Sequence, residues 1–499
     1  MFLSVGEDLK QESFGRLQSL ISSEIASRIF EQDSSIWGSE ALEEAKIRLG
    51  WTRPIERANE LLPEIVKLRE ELSAQGITRI VLCGMGGSSL APEVICKSDD
   101  VDLVVLDSTS PTMVREALTN LQSTAVVVAS KSGSTVETDS QKRAFEGAFE
   151  EAGIDPRSRI VIVTDPGSPL MQDSEKKGYT IFEADPNVGG RYSALTAFGL
   201  VPSGLAGANI AKLIASAKSV IPALAENNLD NPGLLLAAAI SGKKSRMVIN
   251  DSGTQLDGFA DWAEQLIAES TGKLGKGILP VVGNPSAEIK VQAEDIVPST
   301  ISKNSAKDSW VHFDGSLGEL FMVFELATAA AGWLLEINPF DQPDVESAKK
   351  AARESLTANT AVTHYSEIEQ ARVILSKVSA GGYLSVQIYA ARRNDARLTG
   401  LRERLVMACG SPVTIGWGPR FLHSTGQFHK GGTPGGVFIQ IVQDDQEQAI
   451  PGKEFGFQEL IEAQANGDAN VLRQNGSTVV SIKVPMEIDP IGVLEQLVD

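Results

Sequence analysis

From residue 77 onward, short apolar runs alternate with longer stretches of helical spacing. The runs are "ITRIVLC" (77–83), "VDLVVLD" (101–107), "TAVVVAS" (124–130), "RIVIVTD" (159–165) and "YTIFEAD" (179–185). Each is nearly continuous in Val and Ile rather than alternating with polar residues, which predicts parallel strands buried on both faces. The helical patterns between them make this a doubly wound α/β domain. Ahead of it, residues 7–76 carry helical periodicity, with Leu62, Ile65, Leu68 and Leu72 on one face.

A second series starts near residue 233. It has a helix in "NPGLLLAAAISG", a strand "SRMVIN" (245–250), a helix "FADWAEQLIAESTG" (259–272) and a strand "GILPVV" (277–282). A helix over "DVESAKKAARESL" (344–356) follows, then strands "YLSVQIYA" and "PVTIGWG" around the helix "DARLTGLRERLVMACG". A βαβ-like tail begins at "GVFIQIVQ". The division expected is a helical segment over 1–76, α/β domains over 77–225 and 226–420, and a loop with an α/β tail over 421–499. The run "LFMVFELATAAAGWLLEI" (320–337) nearly reaches membrane length, but Glu325 interrupts it and no basic flank follows. It predicts a helix buried in protein rather than a span.

Composition narrows the partners. A chain of 499 residues with 42% hydrophobic and 22% charged residues reads as folded protein. The net charge of −20 argues against nucleic acid, whose backbone needs clustered Lys and Arg. A small phosphorylated ligand remains compatible, because a pocket needs only a few local donors. Three cysteines without CxxC spacing and four histidines without helical metal-ligand spacing predict neither a disulfide framework nor a metal. The start, "MFLSVGEDLKQES", lacks the pattern of a signal peptide, so a cytoplasmic chain without a membrane partner is expected.

Loops after strands carry the candidate chemistry, since open α/β sheets bind ligands there. "GMGGSSLAPEV" (84–94) leads from a strand into a helix, offering backbone N–H groups to an anion. It half-matches a dinucleotide fingerprint, with Gly84 and Gly86 in place, Ser89 at the sixth position and Asp107 after the next strand. It also fits a turn used only for tight packing. "SKSGST" (130–135) has more hydroxyls than a helix cap requires, with Lys131 beside them, and predicts a phosphate cradle. Arg191 follows two glycines at a helix start. Glu269 falls near a helix C-terminus, where the dipole opposes a carboxylate, a disfavoured placement that marks it as a candidate base. The loop "GPRFLHSTGQFHKGGTPGG" (418–436) gathers His423, Gln427, His429 and Lys430 among glycines.

Together, "GMGGSSLAPE", "SKSGSTVET", "GGRYSALTAFGLVP", "ESTGK" and "INPFDQPDVESAK" resemble, in this order, the glucose-6-phosphate isomerase (phosphoglucose isomerase) family. The late "FLHSTGQFHKGG" is similar to the branch also found fused to transaldolase, although residues 1–76 are too few for that barrel. The resemblance implies two sugar-isomerase (SIS) type domains with parallel five-stranded sheets flanked by helices, usually as a homodimer. It also implies interconversion of glucose 6-phosphate and fructose 6-phosphate through a cis-enediol, without a cofactor. A non-enzymatic sugar-phosphate sensor is the alternative the same domains allow. By the resemblance, Ser130, Lys131, Ser132 and Thr135 hold the phosphate with Gly87 and Ser88, and Gln265 touches substrate. Arg191 stabilises the enediolate, Glu269 moves the proton, and Lys430 acts in ring opening. One departure stands out. Where the family's better-known members carry a catalytic histidine in a "GQHxFxQL"-type segment, this chain reads "GSLGELFMVFEL". Ring opening then falls to His429 or His423, or to Lys430 with water.

Overall fold

The five Val- and Ile-rich runs between residues 77 and 185 form one sheet. Its strands are β2 (Arg79–Gly84), β3 (Val104–Leu106), β4 (Thr124–Ala129), β5 (Ile160–Thr164) and β6 (Thr180–Glu183). They are parallel throughout, in the order β3-β2-β4-β5-β6. The chain leaves β2 toward β3 and returns to the other side of β2 as β4, so the winding reverses between β2 and β4. Gly84 pairs with Ala129 in this register. The loops at 84–89 and 130–135 therefore leave the sheet side by side at its C-terminal edge, where such a reversal opens a crevice.

The computed structural model describes residues 1–293, 295–304, 310–344, 365–393 and 395–499. Nearly all of the helix expected over 344–356 lies outside these. A second sheet contains β7 (Arg246–Asn250), β8 (Leu279–Val282), β9 (Ile296–Ile301) and β10 (Val311–Asp314), all parallel. The N-terminal strand β1 (Phe2–Val5) closes the β10 edge antiparallel, so the 1–76 segment supplies a strand as well as helices. The order of the five is β1-β10-β9-β7-β8.

The strands at 383–389 and 413–417 do not extend this second sheet, although both lie within the 226–420 stretch. β11 (Tyr383–Tyr389), β12 (Val413–Trp417), β13 (Gly436–Gln443) and β14 (Thr478–Val484) form a separate parallel sheet, ordered β12-β11-β13-β14, with its own apolar core. Buried parallel strands all read as the same apolar run, so periodicity does not say which sheet a strand joins.

The Leu317–Leu334 helix has the length and composition of a membrane span, but 83% of it is buried inside the protein. Phe321 and Phe324 on it meet Trp262 and Phe259 of the Phe259–Thr271 helix, with ring centroids 4.5 and 4.9 Å apart. Burying aromatic rings on this scale stabilises strongly; truncating one to alanine costs about 3–5 kcal/mol. That packing fixes the rotation of the Phe259–Thr271 helix, whose Gln265 and Glu269, one turn apart, line the cleft described below.

Candidate active site

A cleft of about 580 Å³ opens where the loops after β2 and β4, the Phe259–Thr271 helix and the 418–436 loop meet. Glycine makes the approach possible. A Cβ at Gly87 would sit 2.0 Å from the Gly190 carbonyl oxygen, so only glycine lets the 84–89 loop touch the turn that carries Arg191. Gly86 has a φ of +55°, and a Cβ there would meet Gln265 Nε2 at 2.7 Å and the His423 carbonyl at 2.8 Å. All three folded units converge on this loop.

The 130–135 loop forms one wall. Ser130, Lys131, Ser132, Ser134 and Thr135 line the cleft with Gly87 and Ser88. The hydroxyls order one another: Ser130 Oγ donates to Thr135 Oγ1 at 3.3 Å and accepts from Gly133 N at 3.2 Å, while the Ser132 and Ser134 oxygens lie 2.7 Å apart. Thr135 precedes the Val136–Glu151 helix, and its side chain takes no capping bond, so the helix N-terminus opens beside the hydroxyls of this wall. Lys131 is less simple. Its Nζ lies 2.7 Å from Asp165 Oδ2, and burial pulls its pKa down. Arg48, from the N-terminal segment, adds a second cation to this end of the cleft.

The opposite wall carries Glu269 and Arg191. Glu269 Oε2 accepts from Gln265 Nε2 at 2.9 Å, and Oε1 lies 3.3 Å from Arg191 Nη1. Arg191 is buried and held from behind by four hydrogen bonds, with Nη1 also facing the cleft side at Glu269. Its Nε donates to Ser270 Oγ at 2.8 Å, Nη1 to Gln342 Oε1, and Nη2 to the Pro339 and Asp341 carbonyls at 2.9 and 3.1 Å. Behind it, Lys273 donates to the Asn338 and Asp341 carbonyls at 2.7 and 2.6 Å and to the Asp341 carboxylate. Burial and the Arg191 charge push the Lys273 pKa down to about 8. Two cations thus hold the 338–342 loop against the back of the guanidinium, which fixes Arg191 before any ligand arrives.

The late loop closes the cleft with His423 and Lys430. His423 Nε2 lies 3.0 Å from Glu137 Oε1, and Gln464 Nε2 donates to the same oxygen at 2.7 Å. Lys430 Nζ lies 2.5 Å from Asp468 Oδ1 and 3.2 Å from the Gly426 carbonyl. His429 is a correction to the sequence reading. It does not line the cleft but stacks on Tyr383, with Nδ1 2.9 Å from the tyrosine hydroxyl, and burial holds its pKa well below the usual value. Both residues lie on the short Gly426–Gly431 helix. Successive residues there point about 100° apart, so aiming Lys430 at the cleft turns His429 toward the third sheet. Among the described residues, no three His, Cys, Asp or Glu side chains converge as a metal-ligand set.

Sequence reasoning missed Glu137, Gln342, Gln464, Asp468 and Arg48. Glu137 had a signal. It lies inside "SKSGSTVET", and an acid in the first turn of a helix that offers itself to an anion needs a donor of its own. Gln342 had one too, inside "INPFDQPDVESAK", but Gln464 and Asp468 had none, because their partners lie far away in the chain.

Residues 68–290 match the family model described as phosphoglucose isomerase. A probable glucose-6-phosphate isomerase of Methanococcus maripaludis is 28% identical over 385 residues, 64% of this chain and 87% of that protein. A glucose-6-phosphate isomerase of Clostridium tetani is 28% identical over 384 residues, 60% of this chain and 85% of that protein. Among solved structures, a hypothetical protein from Thermus thermophilus superposes with a TM-score of 0.59 at 23% identity, covering 71% of this chain and all of that one. A glucose-6-phosphate isomerase from Chlamydia trachomatis superposes with a TM-score of 0.53 at 20% identity, covering 74% of this chain and 87% of its own. At these identities the two structures speak for the fold. Over residues 68–290 the sequence is thus similar to that of the phosphoglucose isomerases, and the fold is similar to that of one glucose-6-phosphate isomerase.

Proposed function

We propose that the chain is an aldose–ketose isomerase that interconverts glucose 6-phosphate and fructose 6-phosphate through a cis-enediol. The observation that carries the reading is the pairing of Glu269 with Arg191 across one cleft from the hydroxyl-rich 130–135 loop. A phosphate seated on Ser130, Ser132, Thr135, Gly87 and Ser88 anchors one end of the sugar, leaving the other end to the carboxylate.

Ring opening comes first. Lys430 protonates the ring oxygen as its bond to C1 breaks, and His423 takes the proton of the 1-hydroxyl as the aldehyde forms. Glu137 holds the His423 ring at 3.0 Å and offsets the charge it gains. Glu269 then removes the C2 proton. Negative charge moves to the oxygen on C1, where the Arg191 guanidinium lies close to the carboxylate and already fixed; a donor of this kind is worth about 3–4 kcal/mol to an oxyanion. The proton of the 2-hydroxyl passes to the oxygen on C1, and Glu269 returns its own proton to C1 as the C2 carbonyl forms, so no atom is gained or lost. A coupled assay for fructose 6-phosphate made from glucose 6-phosphate tests the reading. Turnover well above the uncatalysed rate supports it, and sugar-phosphate binding without turnover overturns it.

A further inference from the structure

The third sheet has an oddity that its apolar strands hide. Gln387 on β11, Gln440 on β13 and Ser481 on β14 pair directly across the sheet, in one row. None is more than 1% exposed. Buried polar side chains are costly unless they bond to one another, and a row of three Val or Ile would serve the core better. They do bond: Ser481 Oγ donates to Gln440 Oε1 at 2.8 Å, and Gln440 Nε2 donates to Gln387 Oε1 at 2.9 Å.

The row leads toward the cleft. Gln440 Nε2 also lies 3.4 Å from Asp468 Oδ2, on the Phe457–Gln474 helix that covers this sheet. The other oxygen of Asp468 faces Lys430 Nζ at 2.5 Å. The side chains of both residues are 1% exposed or less, and Lys430 forms part of the cleft wall. One turn back on the same helix, Gln464 holds Glu137, the partner of His423, and is held in turn by Thr109 Oγ1 at 2.7 Å. Residues 464 and 468 thus stand behind the two groups that the late loop presents. A buried ion pair is weak evidence for stability, since an apolar pair of similar volume often does as well or better. A network whose one end is a cleft-wall ammonium calls for another explanation.

We infer that Asp468 is a positioning residue: anchored by the Gln387–Gln440–Ser481 row, it fixes the Lys430 ammonium at the cleft wall for ring opening. The inference rests on reading the cleft as an isomerase site. Its test uses the whole protein and three readouts: kcat and KM for glucose 6-phosphate, the rate of anomer exchange by two-dimensional NMR, and Tm. Asp468→Asn should lower kcat and anomer exchange together by roughly 10- to 100-fold, the usual loss when a supporting carboxylate is removed, with KM changed less than about threefold. If Asp468→Asn keeps full anomer exchange, the inference is overturned.

An unpaired Lys430 can cost the fold, so the pair is also removed together. Lys430→Met/Asp468→Leu should fold and be no less active than Lys430→Met alone, because Asp468 has no task once the lysine is gone. A further loss of about tenfold in the double variant would show that Asp468 acts through something else and overturn the inference. Wild-type protein separates the two readings. If it makes no fructose 6-phosphate, the isomerase assignment fails; if it does and Asp468→Asn is unimpaired, only the role of Asp468 fails.

Discussion

Replacing Glu269 by glutamine removes a proton acceptor while leaving the shape of the wall intact. The carboxylate accepts from Gln265 Nε2 at 2.9 Å on one oxygen and faces Arg191 at 3.3 Å with the other. The new amide keeps its oxygen toward Arg191. Its NH2 then meets Gln265, whose own Oε1 is buried without a hydrogen-bond partner. Rotating the Gln265 amide presents that oxygen to the new donor, so the variant loses no hydrogen bond and the Trp262–Phe321 packing behind it is untouched. What is lost is general-base catalysis, typically worth about 10²–10⁴-fold; taking about 10³ as the centre, the barrier rises by about 4 kcal/mol. The phosphate cradle lies on the other wall, so KM should stay within about threefold. Glucose 6-phosphate should also still raise the Tm of the variant, by about 2.7 kcal/mol of stability at about 100 times Kd. The assay is steady-state kinetics beside thermal melts with and without substrate. More than a tenth of wild-type kcat, or a loss confined to KM, would refute the assignment of Glu269 as the base.

The cradle predicts the opposite pattern. Ser132→Ala and Thr135→Ala should each raise KM roughly 10- to 100-fold with little change in kcat, since a hydrogen bond to a charged group is worth about 1.5–3 kcal/mol; an effect on kcat alone would contradict it. The two histidines separate cleanly. His423→Asn should slow anomer exchange by about 10²-fold as an acid–base group is lost, whereas His429→Asn, facing Tyr383 away from the cleft, should leave kcat within about threefold; equal losses would undo the correction made for His429. Glu325 gives a pH test. Burial pushes its carboxyl well above the usual 4.5, so the folded chain keeps a proton that the unfolded chain sheds. Stability from this group is present below about 4.5 and is lost as pH rises above it. Glu325→Gln should therefore gain on wild type between about pH 5 and 8 in urea titrations; a difference that does not grow with pH would contradict the burial argument.

Much of this was legible in the residues. The first sheet announces itself because every strand is a Val and Ile run, and its two C-terminal loops stand out because glycines and hydroxyls follow those runs directly. The second sheet is harder. Pro298 sits inside β9, and a proline argues against an interior strand; β10 and β1 are only four residues each. The third sheet was visible as strands but not as a sheet, since buried parallel strands carry no label of partnership. At the site, Glu269, Arg191, Gln265, Lys430 and the 130–135 loop could be named because each falls in a local motif. Asp468 and Gln464 could not. They lie on the buried face of a helix, and Gln464 meets a partner 327 residues away, which no local pattern encodes. Which of two nearby histidines faces the cleft depends on the rotation of one short helix, and that is set by tertiary packing.

The central claim is that this cleft moves a proton between C2 and C1 of a hexose 6-phosphate. Incubating the wild-type protein with glucose 6-phosphate in D2O and following proton and carbon NMR tests it directly. The account predicts fructose 6-phosphate carrying deuterium at C1, with deuterium appearing at C2 of the remaining glucose 6-phosphate, and neither in Glu269→Gln over the same time. Unexchanged glucose 6-phosphate and no fructose 6-phosphate with wild-type protein, while the sugar phosphate still raises its Tm, would contradict it.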